Sequence, residues 1–435
     1  MAVPQSPRAV DRLPPELVAE IFAHTLPHTR NVGSQAIPSA PWTLGHICAL
    51  WRVAALGYPP LWTEVTLYAA ANAPIRGVCP PDLVKTQLQR SGSVAPLHIR
   101  FDWSADVNVE AAGVNEVLRL LEQQSERWAT LVVDVRGTSP APLLQHLTLI
   151  RGRIPQLERL EVFCPPGIYT IPWARFDMFV SAPRLRQVFL TTPTFSQPSV
   201  SLPLPPHQID TLRVCYLSQQ IASDAIRRFP NLESLSLSII RPFPSVSAPP
   251  VVLPRLRHLH LLTWSAILAA LTIPALRDLR LGQPVDAGPR SSPNSDIYPL
   301  LPLLLRRSGC SLERLAIDWS MDPGPVLEAL RQSPALRSLT LTLPHGPGTD
   351  ALVRALAEDN VCPMLERLDF TIAGAGARQD EALVLGMLQA RLGILQYARL
   401  TMGLRVGYGD EVDPRVRMLR EIGMVVELPV LRSWA

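Results

Sequence analysis

The sequence predicts an α/β solenoid, in which a small helical N-terminal domain leads into an irregular horseshoe of repeats with parallel strands. Three observations carry this. A phrase of the form P-x-L-x-x-L-x-L recurs from Pro155 to Phe370, helix-compatible stretches separate its copies, and two amphipathic segments precede the first copy. At 435 residues the chain exceeds what one hydrophobic core usually organises, which a stack of repeats resolves.

The N-terminal segment opens with Leu13-Pro14-Pro15-Glu16-Leu17 and continues with Ile21-Phe22. Leu17, Ile21 and His24 fall at helical spacing, and prolines are tolerated in a first helical turn, so a helix is expected from about Pro14 to Thr25. Leu44, Ile47, Cys48, Trp51 and Ala55 follow an i, i+3, i+4, i+7, i+11 rhythm and predict a second helix with an apolar stripe. Pro60-Leu61-Trp62 closes the segment. Between the two helices lies Leu26 to Pro41, rich in proline, serine and threonine.

The order LPPEL, IF, C-x-x-W-R, P-x-W resembles the F-box in its fungal F-box-like form, with a wider separation of the first two helices than the minimal motif has. The expected division is a flexible N-terminus over 1–10, an F-box-like domain over 11–62 and repeats over 63–435.

The joining region alternates strands and helices: Leu61 to Leu67 and Leu97 to Phe101 as strands, Asp82 to Arg90 as a helix, and Arg127 to Val133 as a further strand. The repeat phrase then appears at Pro155 to Val162, Pro183 to Leu190, Pro230 to Leu237, Pro254 to Leu261, Pro274 to Leu281, Pro334 to Leu341 and Pro363 to Phe370. Variants without proline occur at Ile209 to Val214 and Ser311 to Ile317. Spacings of roughly 20 to 29 residues resemble the period of leucine-rich repeats. The last two apolar positions alternate with polar ones, as in a strand buried on one face, while the first apolar residue enters the core from the preceding turn. Proline marks that turn because it resists continuing a helix. Ala222-Ile226-Phe229, Val326-Leu327-Leu330 and Leu352-Val353-Leu356 are expected to cover the other side of the sheet, and Leu261 to Leu276 to form a buried helix. Gln197 to Pro206, Pro242 to Pro254 and Gln283 to Asn294 are expected loops. A helix over Asp413 to Gly423 and a strand over Met424 to Leu428 would close the stack.

Composition excludes several classes of function. A net charge of +4 with 18% charged residues, and no block of like charges, does not suggest a nucleic-acid surface. No eighteen-residue apolar run or signal-peptide pattern occurs, so neither a membrane nor secretion is expected. The six cysteines are scattered singly, as in small buried residues of a reducing cytoplasm or nucleus. Lys85 is the single lysine, consistent with codon usage in a GC-rich genome or with a ligase subunit that resists modifying itself. Gly374-Ala375-Gly376 lacks a dinucleotide-binding context, and there is neither a G-x-x-x-x-G-K loop nor a G-x-S-x-G elbow. His258 and His260 alternate on one strand but read as exposed repeat positions rather than metal ligands. Gly409 to Asp413 is too short for an EF-hand and reads as a helix cap. No catalytic residue, metal or cofactor is expected.

The F-box resemblance implies a non-catalytic substrate-recognition subunit of an SCF-type, cullin–RING ubiquitin ligase. Leu13, Pro14, Leu17, Ile21, Phe22, Ile47, Cys48 and Trp51 would meet the ligase adaptor, with some of them holding the helices together instead. The repeats would select a target protein. The alternative is a leucine-rich scaffold with a degenerate F-box, acting outside a ligase. On the strand face, Ser236, His260, Arg280, Ala316, Thr340 and Asp369 are expected to form one row, with Ser234, His258, Asp278, Arg314, Ser338 and Arg367 beside it. Target contacts are assigned to Ser236, His258, His260, Asp278, Arg280, Arg314, Arg367 and Asp369.

Overall fold

The computed structural model describes residues 13–25, 41–69, 80–103, 113–136, 141–164, 173–191, 203–218, 222, 226–241, 250–262, 267–282, 299–317, 322–344, 346–358, 360–373, 378–402, 414–421 and 425–427. The expected flexible N-terminus, the insert after Leu26, the glycine and acidic segments at 374–376 and 409–413, the loop at 283–294 and most of those at 197–206 and 242–254 lie outside these residues. The chain forms two compact units, Met1–Ile209 and Asp210–Ala435.

In the first unit, α1 (Pro15–Thr25) starts where expected. Pro14 supplies its first acceptor, with the amides of Leu17 and Val18 donating to the Pro14 carbonyl at 3.1 and 3.2 Å. The second helix differs from its expected continuous stripe. Thr43–His46 closes as a 3-10 turn, Cys48 is extended at φ −155° and ψ 172°, and only then does α2 (Ala49–Gly57) begin. The Arg52 side chain bridges this break, its Nε donating to the Gly45 carbonyl at 2.8 Å and satisfying a group that a continuous helix would have paired internally. The inner face is Val18, Ala19 and Phe22 from α1 with Ala54 and Ala55 from α2, packed on Leu61 and Trp62.

Pro59–Trp62 is a 3-10 turn, so β1 runs over Glu64–Ala69 rather than starting at Leu61. The Trp62 indole instead turns inward, donating from Nε1 to the Ala55 carbonyl at 2.7 Å. Next come α3 (Pro81–Arg90), β2 (Leu97–Trp103), α4 (Val114–Glu122), β3 (Trp128–Val135), α5 (Ala141–Thr148), β4 (Arg159–Phe163), a 3-10 segment at Trp173–Ser181 and β5 (Gln187–Thr191). Each strand pairs in parallel with the next in sequence. Leu97, Ile99, Phe101 and Trp103 are buried in alternation with His98, Arg100 and Asp102, the signature of a sheet covered on one face.

The second unit repeats the pattern with β6 (Thr211–Ser218), β7 (Ser234–Arg241), β8 (Val251–Val252), β9 (His258–Leu261), a single helical turn α6 (Ile267–Ala270), β10 (Leu271–Thr272), β11 (Asp278–Leu281), α7 (Leu300–Ser308) and β12 (Arg314–Ile317). It continues with α8 (Pro323–Arg331), β13 (Ser338–Pro344), α9 (Pro347–Ala357), β14 (Arg367–Ala373), α10 (Arg378–Ala390), β15 (Tyr397–Met402), α11 (Pro414–Glu421) and β16 (Val425–Glu427). Strands β6, β7, β9, β11 and β12 to β16 pair in parallel in that order. The expected helix over Leu261 to Leu276 is not formed: Leu271–Thr272 pairs with Val251–Val252 as a second, two-stranded sheet. Val251 and Leu271 are both buried there, so the stretch meets its burial demand in extended form on either side of one helical turn. Both units are thus open parallel α/β sheets, and no helix among the described residues is long and apolar enough to cross a membrane.

The repeat phrase has a direct physical basis. In six copies the residue before proline accepts from the amide of the following leucine, as in Ile154 to Leu157 at 3.4 Å and Leu253 to Leu256 at 3.4 Å. Proline therefore sits at the second position of a four-residue turn, where its fixed φ fits and its missing N–H is not needed. The two residues after that leucine fasten the copy to its predecessor. The amides of Arg277 and Asp278 both donate to the Arg257 carbonyl at 2.9 Å, and those of Arg337 and Ser338 to the Glu313 carbonyl at 2.9 and 3.1 Å. The leucine itself is buried in every copy, from Leu157 to Leu365.

Candidate partner-binding surfaces

The helical N-terminal segment and the strand face are the two candidate surfaces. The first is divided by helix geometry. Residues 18, 19 and 22 share the inward face of α1, so Phe22, assigned to the adaptor surface from sequence, is only 4% exposed. Its ring meets Trp51 edge-on at 4.8 Å, and Trp51 is itself half-buried. Phe22 is a core residue, a correction to the sequence assignment. Trp42 and Trp62 form a second edge-on pair at 4.9 Å, and the Arg90 guanidinium lies 4.5 Å from the Trp62 ring centre, tying α3 to this core.

The opposite faces stay outside. Leu17, Ile21 and Ile47 are 48 to 59% exposed. Pro14 and Cys48 are exposed too, and Leu13 is half-buried. Ile47 and Cys48 owe their exposure to the break before α2. Sequence reasoning missed Val53 and Leu56, exposed apolar residues at i, i+3 on α2; the absence of either from the Leu44–Ala55 stripe was the available signal. Beside them Tyr58 donates from its hydroxyl to Glu20 Oε2 at 2.6 Å. That hydrogen bond, then burial and the carboxylate charge, raise the phenol's pKa.

On the strand face of the second unit, the register places the expected rows side by side. Ser234, His258, Asp278, Arg314, Ser338 and Arg367 are successive partners, as are Ser236, His260, Arg280, Ala316, Thr340 and Asp369. Leu235, Leu259, Leu279, Leu315 and Leu339 lie between the rows and point inward. Asp278 gathers basic side chains around it: Arg314 Nε at 3.1 Å, Arg280 Nε at 3.4 Å and His258 Nδ1 at 3.7 Å. His260 Nδ1 lies 3.5 Å from Ser236 Oγ. Among the described residues no three histidine, cysteine or acidic side chains converge as a metal site would require.

Strand β15 extends both rows with Tyr397 and Arg399. Sequence reasoning missed this copy because it lacks proline and also carries alanine, Ala398, at its first inward strand position, although Leu395, Ala398 and Leu400 keep the spacing. The Arg367 guanidinium lies 4.9 Å from the Tyr397 ring centre, and Arg399 Nη1 lies 3.9 Å from Asp369 Oδ2.

The strand face of the first unit is differently charged. Arg100 Nε bonds Asp102 at 2.8 Å and its Nη2 reaches Asp134 at 3.5 Å, while Arg159 bonds Glu161 at 2.5 Å and lies 4.5 Å from the Phe189 ring centre. Burial raises the Asp102 pKa against the lowering effect of Arg100.

No protein-family model matches the chain, and no curated protein does. Among solved structures, the chain is similar to a crystal structure of a protein from Bacteroides fragilis. The two share 14% identity over 79% of this chain and 77% of the other, at a TM-score of 0.31.

Proposed function

We propose that this chain is the non-catalytic substrate-recognition subunit of an SCF-type ubiquitin ligase, with an F-box-like segment for the ligase adaptor and a leucine-rich-repeat horseshoe for a target protein. The observation that carries it is the division of the N-terminal motif. Phe22, Trp51 and Trp62 build a small core, while Leu17, Ile21 and Ile47 of the same motif stay outside. Large apolar side chains exposed on α1 and at the break before α2 suit a partner that buries them.

Roughly half of each of these three side chains remains to be covered. At about 1.5 to 3 kcal/mol for a whole side chain, three halves supply about 2 to 4.5 kcal/mol toward association. The test is co-purification with the ligase adaptor. Wild-type chain is expected to bring the adaptor down, and Leu17→Asp with Ile21→Asp to lose it at unchanged thermal stability, because both positions are outside the core. Retention of the adaptor by this variant, or failure of the folded wild type to bind any adaptor, would remove the ligase assignment and leave a repeat scaffold.

A further inference from the structure

We propose that Arg280 and Arg314, held by Asp278, form a preorganised receptor for the carboxylate side chains of an acidic polypeptide segment. This deepens the reading of the strand face as the target surface and rests on it. Asp278 is the reason for the arrangement. It projects from the strand face, yet it is 6% exposed because its neighbours stand over it. Arg314 is its direct partner on β12 and His258 its direct partner on β9, while Arg280 follows two residues later on β11. One carboxylate thus holds two guanidiniums, leaving the cluster with a net positive charge.

Each guanidinium carries five N–H donors and turns its Nε toward Asp278. The Arg280 and Arg314 side chains are 58 and 51% exposed, so both remain accessible to a ligand from solvent. An anchored fork loses less side-chain entropy on binding, and its planar donors match a carboxylate in two-point geometry.

The surroundings argue for an extended acidic chain. From β6 to β15 this face carries Arg213, Arg280, Arg314, Arg367 and Arg399 against Asp278 and Asp369. On the first unit's strand face, Arg100, Arg136 and Arg159 stand against Glu64, Asp102, Asp134 and Glu161, so the cationic excess belongs to the second unit alone. Arg314 and Arg367 lie in one row two strands apart. Two strand spacings make roughly 10 Å, close to the rise of about one three-residue turn of a polyproline-II chain, whose every third side chain points the same way, so acidic side chains at every third position would meet both.

The test uses the full chain and a fluorescein-labelled peptide of four Glu-Gly-Ser triplets, read by anisotropy at low salt, with Gln-Gly-Ser and a single-stranded oligonucleotide of equal length as comparators. The Glu peptide is expected to bind at least about tenfold tighter than the Gln peptide. The deciding variant is Asp278→Asn. It adds one positive charge to the face, so a merely cationic surface would bind tighter, whereas a preorganised receptor binds several-fold weaker. Arg280→Lys with Arg314→Lys keeps the charge at two half-exposed positions and removes the forks; it is expected to weaken binding similarly, and it keeps the test decisive if Asp278→Asn unfolds. Binding unchanged or tightened in the lysine pair, or in folded Asp278→Asn, overturns the receptor, and tighter binding of the oligonucleotide overturns the polypeptide partner. Adaptor capture measured on the same samples separates failure here from failure of the ligase assignment.

Discussion

Arg391 should prove one of the costliest single positions in the second unit. It follows α10 and is 1% exposed, with no ion pair to a carboxylate among the described residues. Its guanidinium instead gathers carbonyls at the end of α9 and just beyond: Nε donates to Leu356 at 2.6 Å, and Nη2 to Glu358 at 2.5 Å and to Val361. Arg391→Met removes all of these donors. The Glu358 carbonyl keeps the Val361 amide at 3.3 Å, so two buried carbonyls, those of Leu356 and Val361, lose this donor. At about 1 to 3 kcal/mol for each unsatisfied group the loss is about 2 to 6 kcal/mol, offset in part because a buried charge is also removed. A net loss of about 3 kcal/mol corresponds to a roughly hundredfold larger population of the locally open state. Hydrogen exchange of the amides from Leu356 to Leu365 reads this directly. Arg391→Lys should fall between the two, since one ammonium cannot span three carbonyls. Protection in the methionine variant within about twofold of wild type would refute the argument, because it would mean that these carbonyls do not depend on the guanidinium.

Other expectations follow from burial. Leu259 is 1% exposed between Leu235 and Leu279, so Leu259→Ala should cost about 2 to 5 kcal/mol and lower the melting temperature; no change would mean the register is wrong. Phe22→Ala should destabilise the N-terminal helices by about 3 to 5 kcal/mol, visible as early melting of their circular dichroism, whereas Ile21→Ala, one residue away but outside the core, should not. Burial pushes the Cys164 thiol up to about 11 and Cys362 up to about 12. At pH 8 the native protein should therefore react with a maleimide at exposed Cys48 and not at these two, read by peptide mass mapping; labelling of either at the Cys48 rate would contradict its burial.

Much of this architecture was legible from sequence because a parallel repeat repeats its burial. Every copy must place one leucine beneath a turn and two apolar residues inward on a strand, so Leu256, Leu259 and Leu261 announce both a strand and its register. The rows on the strand face followed, since polar positions between fixed inward leucines have only one side left to occupy. The copy at Leu395 to Leu400 escaped because its turn has no proline and alanine stands at its first strand position, and Val251–Val252 escaped because two residues offer no period to detect.

Tertiary contacts decided the rest. Spacing placed Leu17, Ile21 and Phe22 on one helix, but which side faces the core depended on where α2 and Trp62 came to lie, and that put Phe22 inside and Ile21 out. An apolar rhythm from Leu44 to Ala55 is compatible with one helix or two; Cys48 became extended and Arg52 bridged the gap, which local propensity does not specify. Likewise the sequence alone placed Asp278 and Arg314 in one row and Arg280 in the next, without showing that they pair. Their gathering around one carboxylate required the pairing of β11 with β12, which joins residues 36 apart, and a charge cluster of that kind exists only once the strands have met.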